Sequence, residues 1–273
     1  MFTNKKWSPV YSLKAIARHR NLVIQLSKRE IVGRYKGSYL GLIWSFVTPI
    51  IMLIIYTFFF SVIFEAKWDQ SSNNKLEFAM VLFCGLTAFT IFSEVISRAP
   101  TIISGNVNYV KKVVFPLEIL PVTLLISSLV NFSINLGVLI VFLLVFYGGI
   151  NWTVIFVPVV IFPLVLITLG LAWLVASLGV YFRDIGQIIG VVLSATMFLS
   201  PIFYSMSMLP EEYRFILHFN PLSYVIEDLR YVVIWGQLPN WNWLILGTLI
   251  GIIMYTFGHA WFQRTKGGFS DVL

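Results

Sequence analysis

The chain has 273 residues, of which 58% are hydrophobic and 11% charged, a balance far from that of soluble globular domains. Its formal net charge of +7 would suit nucleic acid in a soluble protein, but here the basic residues flank apolar runs, where positive-inside placement accounts for them. The sole cysteine, Cys84, excludes an intrachain disulfide and any paired-cysteine metal motif.

The first forty residues carry Lys5, Lys6, Lys14, Arg18, Arg20, Lys28, Arg29, Arg34 and Lys36 against one acid, Glu30, which places the N-terminus in the cytoplasm. The first apolar run starts only near Gly41 and is too long for a signal-peptide core, so no cleaved leader is expected. Residues 10–29 put Leu13, Ile16, Ala17, Val23 and Ile24 on one side of a helical wheel and Lys14, Arg18, Gln25 and Arg29 on the other. That pattern predicts an amphipathic helix lying in the cytoplasmic interface. Arg20 falls on the apolar side, where snorkelling would relieve it.

Crossing about 30 Å of hydrocarbon takes about 20 apolar residues, and six segments meet that need: 41–64, 78–96, 119–147, 153–181, 185–206 and 244–262. The first is free of charge, and the second holds only Glu94, near its end. Between Ile119 and Phe182 there is no Asp, Glu, Lys or Arg. A charge at the bilayer centre costs roughly 2.5 to 3.5 kcal/mol even on the lenient insertion scale, so lipid explains such a stretch. It divides at the turn-rich Tyr147-Gly148-Gly149-Ile150-Asn151 into a third and a fourth span.

An even count returns the C-terminus to the cytoplasm, and the charges agree: fifteen Lys and Arg fall inside, and only Lys67, Lys75, Arg214 and Arg230 outside. Residues 209–240 mix Pro210, Pro221 and Pro239 with apolar stretches, too broken to span and too apolar for a solvated loop. A re-entrant pair of short helices on the outer side is predicted there. The expected fold is all-α and integral to the membrane: one domain over residues 1–273, six spans, an N-terminal interface helix, outer re-entrant helices between spans five and six, and both termini cytoplasmic.

Catalytic signatures are lacking. Lys36-Gly37-Ser38 has neither the upstream glycine spacing nor the strand of a phosphate-binding loop, so the chain is not expected to hydrolyse ATP alone. His19, His218 and His259 fall on different faces of the membrane, which disfavours a shared metal site. Glu211-Glu212 and Glu227-Asp228 are sequence neighbours that diverge on a helix, and are read as solvated or salt-bridged. Ion-coupled carriers need charges at the midplane, and only Glu94 loosely qualifies. Transport would then draw its energy from a separate subunit.

The run Lys28-Arg29-Glu30-Ile31-Val32-Gly33-Arg34-Tyr35-Lys36-Gly37-Ser38-Tyr39-Leu40-Gly41-Leu42-Ile43-Trp44-Ser45, followed by Pro49, resembles the start of the membrane subunit of polysaccharide-exporting ABC transporters, the O-antigen, capsule and teichoic acid permeases. Asn106 to Pro121 is similar to that family's first cytoplasmic loop and Tyr181-Phe182-Arg183-Asp184-Ile185 to its second. Asn220-Pro221 with Glu227 and Arg230 resembles its outer re-entrant segment, and Phe269-Ser270-Asp271 its terminus. The resemblance implies a non-enzymatic homodimer in the bacterial cytoplasmic membrane, docked on two cytoplasmic ATP-binding subunits and exporting an undecaprenyl-diphosphate-linked glycan, O-antigen before capsule or teichoic acid. No cofactor is then expected on this chain, with ATP and Mg on the partner subunit. A membrane-embedded transferase acting on polyprenyl-linked sugars would need a catalytic carboxylate or metal cluster at one face, which the sequence does not offer.

Three candidate sites follow. Arg29, Arg34 and Lys36 stand where a diphosphate headgroup would approach, since charge-assisted bonds to phosphate oxygens are strong; ordinary positive-inside anchoring is the competing account. Tyr56, Phe60 and Phe64 recur at i, i+4 on span one, with Phe203 and Tyr204 at similar depth on span five. Ring faces stack on sugars without demanding one sequence, so these five are candidates for a glycan conduit, against a lipid-facing aromatic belt. The loop after span two, with Ala99-Pro100 as a helix start and Tyr109, Lys111 and Lys112 near its close, is long enough for a short helix that couples to the ATPase subunit rather than a mere connector.

Overall fold

The computed structural model describes residues 9–34, 36–63, 68, 75–111, 115–182, 184–208 and 210–273. Regular structure among the described residues is helical throughout, as expected where backbone groups must be satisfied within each segment. Five helical stretches are long and apolar enough to cross a membrane: Gly41–Phe60, Leu76–Ile102, Ile119–Tyr147, Trp152–Tyr181 and Trp241–Val272. They overlap five of the six predicted spans.

The amphipathic segment is two helices rather than one, α1 (Pro9–Arg18) and α2 (Arg20–Gly33), with His19 between them at φ −103°, ψ 23°. The break re-phases the wheel. Arg20, on the apolar side of a continuous helix, is exposed, while Val23, Leu26 and Ser27 form the buried stripe that faces α6 (Ile119–Tyr147). Ile24, expected on the apolar side, is 63% exposed.

α3 (Trp44–Tyr56) is entered through a tight turn at Gly41–Ile43, where Gly41 takes φ +52°, a conformation open to a residue without Cβ. Its buried residues Ser45, Pro49 and Leu53 are four apart and make one narrow stripe. Past Tyr56 the helix loosens into a π-helical turn, Thr57–Ile63. α4 (Lys75–Ile102) is the hub, packed by α3, α6 and three elements that follow; its Ala79, Met80, Val81 and Leu82 are fully buried. Its 28 residues extend about 42 Å, beyond the predicted 78–96 at both ends. α5 (Val107–Val110) is a single turn, shorter than the helix foreseen for that loop.

α6 and α7 (Val157–Tyr181) occupy the charge-free stretch, and part at Gly148, which closes α6 at φ +73°. A three-residue-per-turn segment, Trp152–Phe156, leads into α7. α8 (Ile185–Phe198) has 14 residues, about 21 Å, and does not run on to Met206 as the sequence suggested. The chain leaves the helix at Leu199 and turns through Ser200 and Pro201; Pro201 has no N–H with which to continue it.

The proline-rich segment is indeed a pair of short helices, α9 (Glu211–Phe219) and α10 (Pro221–Arg230), the second running into a π-helical turn, Tyr231–Trp235. Asn220 sets the corner. Its Oδ1 accepts from the Leu222 N–H at 3.1 Å, and its Nδ2 donates to the Leu199 carbonyl at 3.1 Å and to Ser200 Oγ at 2.8 Å, with Pro221 preset for the first helical position. α11 (Trp241–Thr265) and the terminal turn α12 (Phe269–Val272) complete the chain. α7 and α11 touch backbone to backbone: a Cβ on Gly170 would lie 2.3 Å from the Met254 carbonyl oxygen, and one on Gly258 2.0 Å from that of Gly170. Small residues allow such approach where burial in lipid gives no hydrophobic drive. α3 and α8, by contrast, lie at the periphery with most of their apolar side chains uncovered.

Candidate functional site

Along α4, Thr87, Thr90 and Glu94 lie at i, i+3 and i+7 on one face, opposite Asn131 and Asn135 of α6. Together with Thr48 and Tyr56 of α3 they line a cavity of about 370 Å³. Glu94 organises its α2 end. Its Oε2 accepts from Arg34 Nη2 at 2.8 Å, and its Oε1 accepts from Asn131 Nδ2, so a residue at the end of α2, one on α4 and one on α6 are held in a single network. Pairing makes both charges tolerable at this depth. Arg34 Nε is nevertheless buried with no hydrogen-bond partner among the described residues. Thr87 and Thr90 donate their hydroxyls to the Phe83 and Thr87 carbonyls of their own helix at 2.8 and 2.7 Å, so towards the cavity they act as acceptors; half-buried Tyr56 adds a ring face and a phenol, and Pro49, Met52, Phe83 and Leu86 complete the lining. The lining thus mixes polar groups and a ring with apolar side chains, as small-molecule sites do.

On the same side of the bundle, α2 is clasped to α4 and α5. Glu30 and Arg34, one turn apart on α2, pair with Arg98 and Glu94, one turn apart on α4, in an antiparallel ladder of alternating sign. Beside it, Arg29 donates through Nη1 to the Tyr109 hydroxyl at 2.9 Å and through Nη2 to Asn106 Oδ1 at 3.3 Å. The Tyr109 ring stacks on Phe115 with centroids 4.2 Å apart and planes at 5°, so the loop after α4 is fastened to α2 on one side and to the entry of α6 on the other.

A second polar node lies at the far end of α4. Arg230, wholly buried, donates from Nε to the Val81 carbonyl at 3.1 Å, from Nη1 to the Pro201 carbonyl at 2.7 Å and Glu227 Oε1 at 3.0 Å, and from Nη2 to the Ile202 carbonyl at 3.1 Å. Its guanidinium lies 4.3 Å from the Trp68 ring centroid, and Gly85 leaves room for it: a Cβ there would be 2.7 Å from Nη2. Charge counting placed Arg230 among the outer-loop cations; the structure makes it an internal fastener joining α4, α10 and the turn after α8. Next to its Glu227 partner, Asp228 accepts from the Asn240 N–H at 3.0 Å.

The predicted site residues divide accordingly. Of the three cations expected at a headgroup, Arg29 is engaged by Tyr109 and Asn106 and Arg34 by Glu94, while Lys36 is exposed. Tyr56 lines the polar cavity. Phe60 packs on Phe78 with centroids 5.2 Å apart, Phe203 stacks on Phe198 at 5.8 Å, and Tyr204 donates its hydroxyl to the Phe198 carbonyl at 2.8 Å, so this pair closes the end of α8. Tyr109 sits in the clasp, and Lys111 is exposed just beyond α5. Phe64 and Lys112 lie outside the described residues. Thr87, Thr90, Asn131 and Asn135 are not among the predicted site residues, although their three- and four-residue spacing inside apolar runs marks one polar face on each helix.

The family model for ABC-2 type transporters matches residues 21–234. The chain is 25% identical over 261 residues to the O-antigen export system permease protein RfbA of Myxococcus xanthus, covering 95% of this chain and 98% of that one. It is 27% identical over 256 residues to the protein of the same name from Klebsiella pneumoniae, covering 93% and 95%. The polysialic acid transport protein KpsM of Escherichia coli is 25% identical over 240 residues, covering 83% and 89%. With the match running from α2 through the π-helical turn after α10, the chain belongs to the ABC-2 type transporter membrane family.

Proposed function

We propose that this chain is the membrane subunit of an ATP-driven exporter that moves undecaprenyl-diphosphate-linked polysaccharide, O-antigen in the first instance, across the bacterial cytoplasmic membrane. It works as a homodimer of six-span subunits with both termini cytoplasmic, docked on two ATP-binding subunits. The observation that carries this reading is end-to-end similarity to permeases named for O-antigen export. The pairing of the cavity's charged groups with each other rather than with a driving ion supports it, as do the threonine, asparagine and tyrosine side chains among its lining. Arg34 and Lys36 meet the lipid-linked phosphates, Tyr56 the sugars, and the Tyr109 loop the ATPase, with Arg29 carrying that loop's movement into α2. The similarity to the KpsM protein keeps capsule export as the second reading.

Reconstitution tests it. Proteoliposomes containing this subunit with its ATP-binding subunit should, on ATP addition, move a lipid-linked O-glycan to the opposite leaflet, where a lectin detects it. Transport driven by an ion gradient without ATP, or transport of a capsule-type acidic glycan and not of the O-glycan, would reject the reading as stated.

A further inference from the structure

We propose that α7, α10 and α11 hold a binding site for a membrane phospholipid with a primary ammonium headgroup, of the phosphatidylethanolamine class, and that Asp228 takes the ammonium. The site is separate from the polar cavity and goes beyond the exporter reading. The three helices enclose a pocket of about 310 Å³. Among the described residues that line it, Asp228 of α10 is the one acid, and there is no Lys, Arg or His to balance it. Asp228 is buried and accepts one hydrogen bond, from the Asn240 N–H at 3.0 Å. Among the described residues it pairs with no cation: the charge acting on it is that of its neighbour Glu227, and Arg230, two residues on, is engaged by three carbonyls and by Glu227.

Burial pushes the Asp228 carboxyl up to about 6, so near neutral pH most of it is an anion without the partner that buried charges ordinarily have. A cation restores the balance, and the walls say which kind. Beyond Asp228, Tyr224 and Trp243 every lining residue is apolar, which suits an amphiphile rather than a hydrated ion. Phe219 and Leu246 on the lining are exposed, so the pocket opens on the flank of the bundle. Tyr224 stacks on Trp243 with centroids 4.0 Å apart and planes at 18°, close to Trp241 at the start of α11, and Trp and Tyr gather where a membrane meets water. In the topology proposed above this is the outer side. A primary ammonium keeps N–H groups for a charge-assisted bond to the carboxylate, whereas a quaternary one has none, and an anionic headgroup meets like charge there. Asp228 also holds Asn240, which precedes the first turn of α11, so a headgroup on its carboxylate steadies the corner between α10 and α11.

The test is a lipid titration of the full-length protein in detergent, read by native mass spectrometry, with dioleoyl phosphatidylethanolamine, phosphatidylcholine of the same chains, and phosphatidylglycerol as probes. Phosphatidylethanolamine should bind about tenfold more tightly than either of the others. Asp228→Asn keeps an acceptor for the Asn240 N–H and removes the charge, and should bring phosphatidylethanolamine down to the level of phosphatidylcholine. Leu246→Trp leaves the carboxylate in place and narrows the pocket; it should abolish the same preference, and it decides the matter should Asp228→Asn assemble poorly. A preference for phosphatidylethanolamine that survives either variant, phosphatidylcholine or phosphatidylglycerol binding the wild type as tightly, or a disulfide between copies from Leu246→Cys in the membrane would overturn the site. Each of these outcomes is independent of export, which the proteoliposome assay reads separately.

Discussion

Arg230 and Arg34 carry the same charge and are used differently. Arg230 has its three guanidinium nitrogens committed to three carbonyls and Glu227, and those carbonyls belong to α4 and to the turn where α8 stops. Removing it strands a carboxylate and buried acceptors, a loss of about 3 to 5 kcal/mol for a broken buried pair. Arg230→Ala should therefore leave little assembled protein after detergent extraction. Arg230→Lys keeps the charge but not the planar fork, and should recover part of it. Recovery by Lys equal to wild type, measured as the melting temperature of the purified subunit, would show that charge alone suffices. Arg34 shares its fork with a partly exposed Glu94 and keeps Nε unpartnered, so its loss should affect substrate affinity before stability. The sequence offers Arg230 as an outer cation and, with Glu227, as part of a family-like segment, but neither a charge count nor a resemblance carries information on which carbonyls a long side chain will reach. The polar cavity was missed for a related reason: hydropathy averages over a span, and two asparagines on α6 and two threonines on α4 scarcely shift that average, whereas their shared face emerges only once α4 and α6 are set side by side.

At the scale of helices, the charge-free stretch and its glycine break gave α6 and α7 their bounds directly, since turn chemistry and the absence of charge are local signals. The interface helix was less legible. The wheel is continuous in sequence, whereas the chain breaks at His19 and α2 alone docks on α6, a tertiary fact. What docking creates is the ladder of Glu30 and Arg34 with Arg98 and Glu94. Surface-accessible ion pairs contribute only about 0.2 to 1 kcal/mol each, so the outer rung should do little for stability and more for the register between α2 and α4. Glu30→Arg should lower substrate-stimulated ATP hydrolysis severalfold in the assembled complex with little change in the amount of protein, and Glu30→Arg combined with Arg98→Glu should restore it. Additive losses in the double variant would mean that the pair transmits nothing, the criterion a double-mutant cycle supplies.

For the whole molecule, the number of crossings decides where every site faces, and α8 decides the number. At about 21 Å it falls short of about 30 Å of hydrocarbon, and five longer stretches alone would put the two ends of the chain on opposite sides. The turn after Phe198 argues for a sixth crossing. Its Pro201 and Ile202 carbonyls are satisfied by Arg230 and the Leu199 carbonyl and Ser200 hydroxyl by Asn220, so irregular backbone there is provided for within protein, the condition under which it is tolerated at membrane depth. Placing the α11 end, with Arg264 and Lys266, on the side of α2 is what gives the fifteen-to-four distribution of Lys and Arg, the bias that the positive-inside rule favours. Single cysteines at Lys36, Glu211 and Ser270, all exposed, introduced after replacing buried Cys84, distinguish the two arrangements. With six crossings, Lys36→Cys and Ser270→Cys react with an impermeant maleimide from the cytoplasmic side and Glu211→Cys only from the other. With five, Glu211→Cys labels together with Lys36→Cys, and Ser270→Cys labels from the opposite face. That second pattern would move the α11 terminus away from the side proposed for the ATPase and bring α9 and α10 onto it, beside the Tyr109 loop.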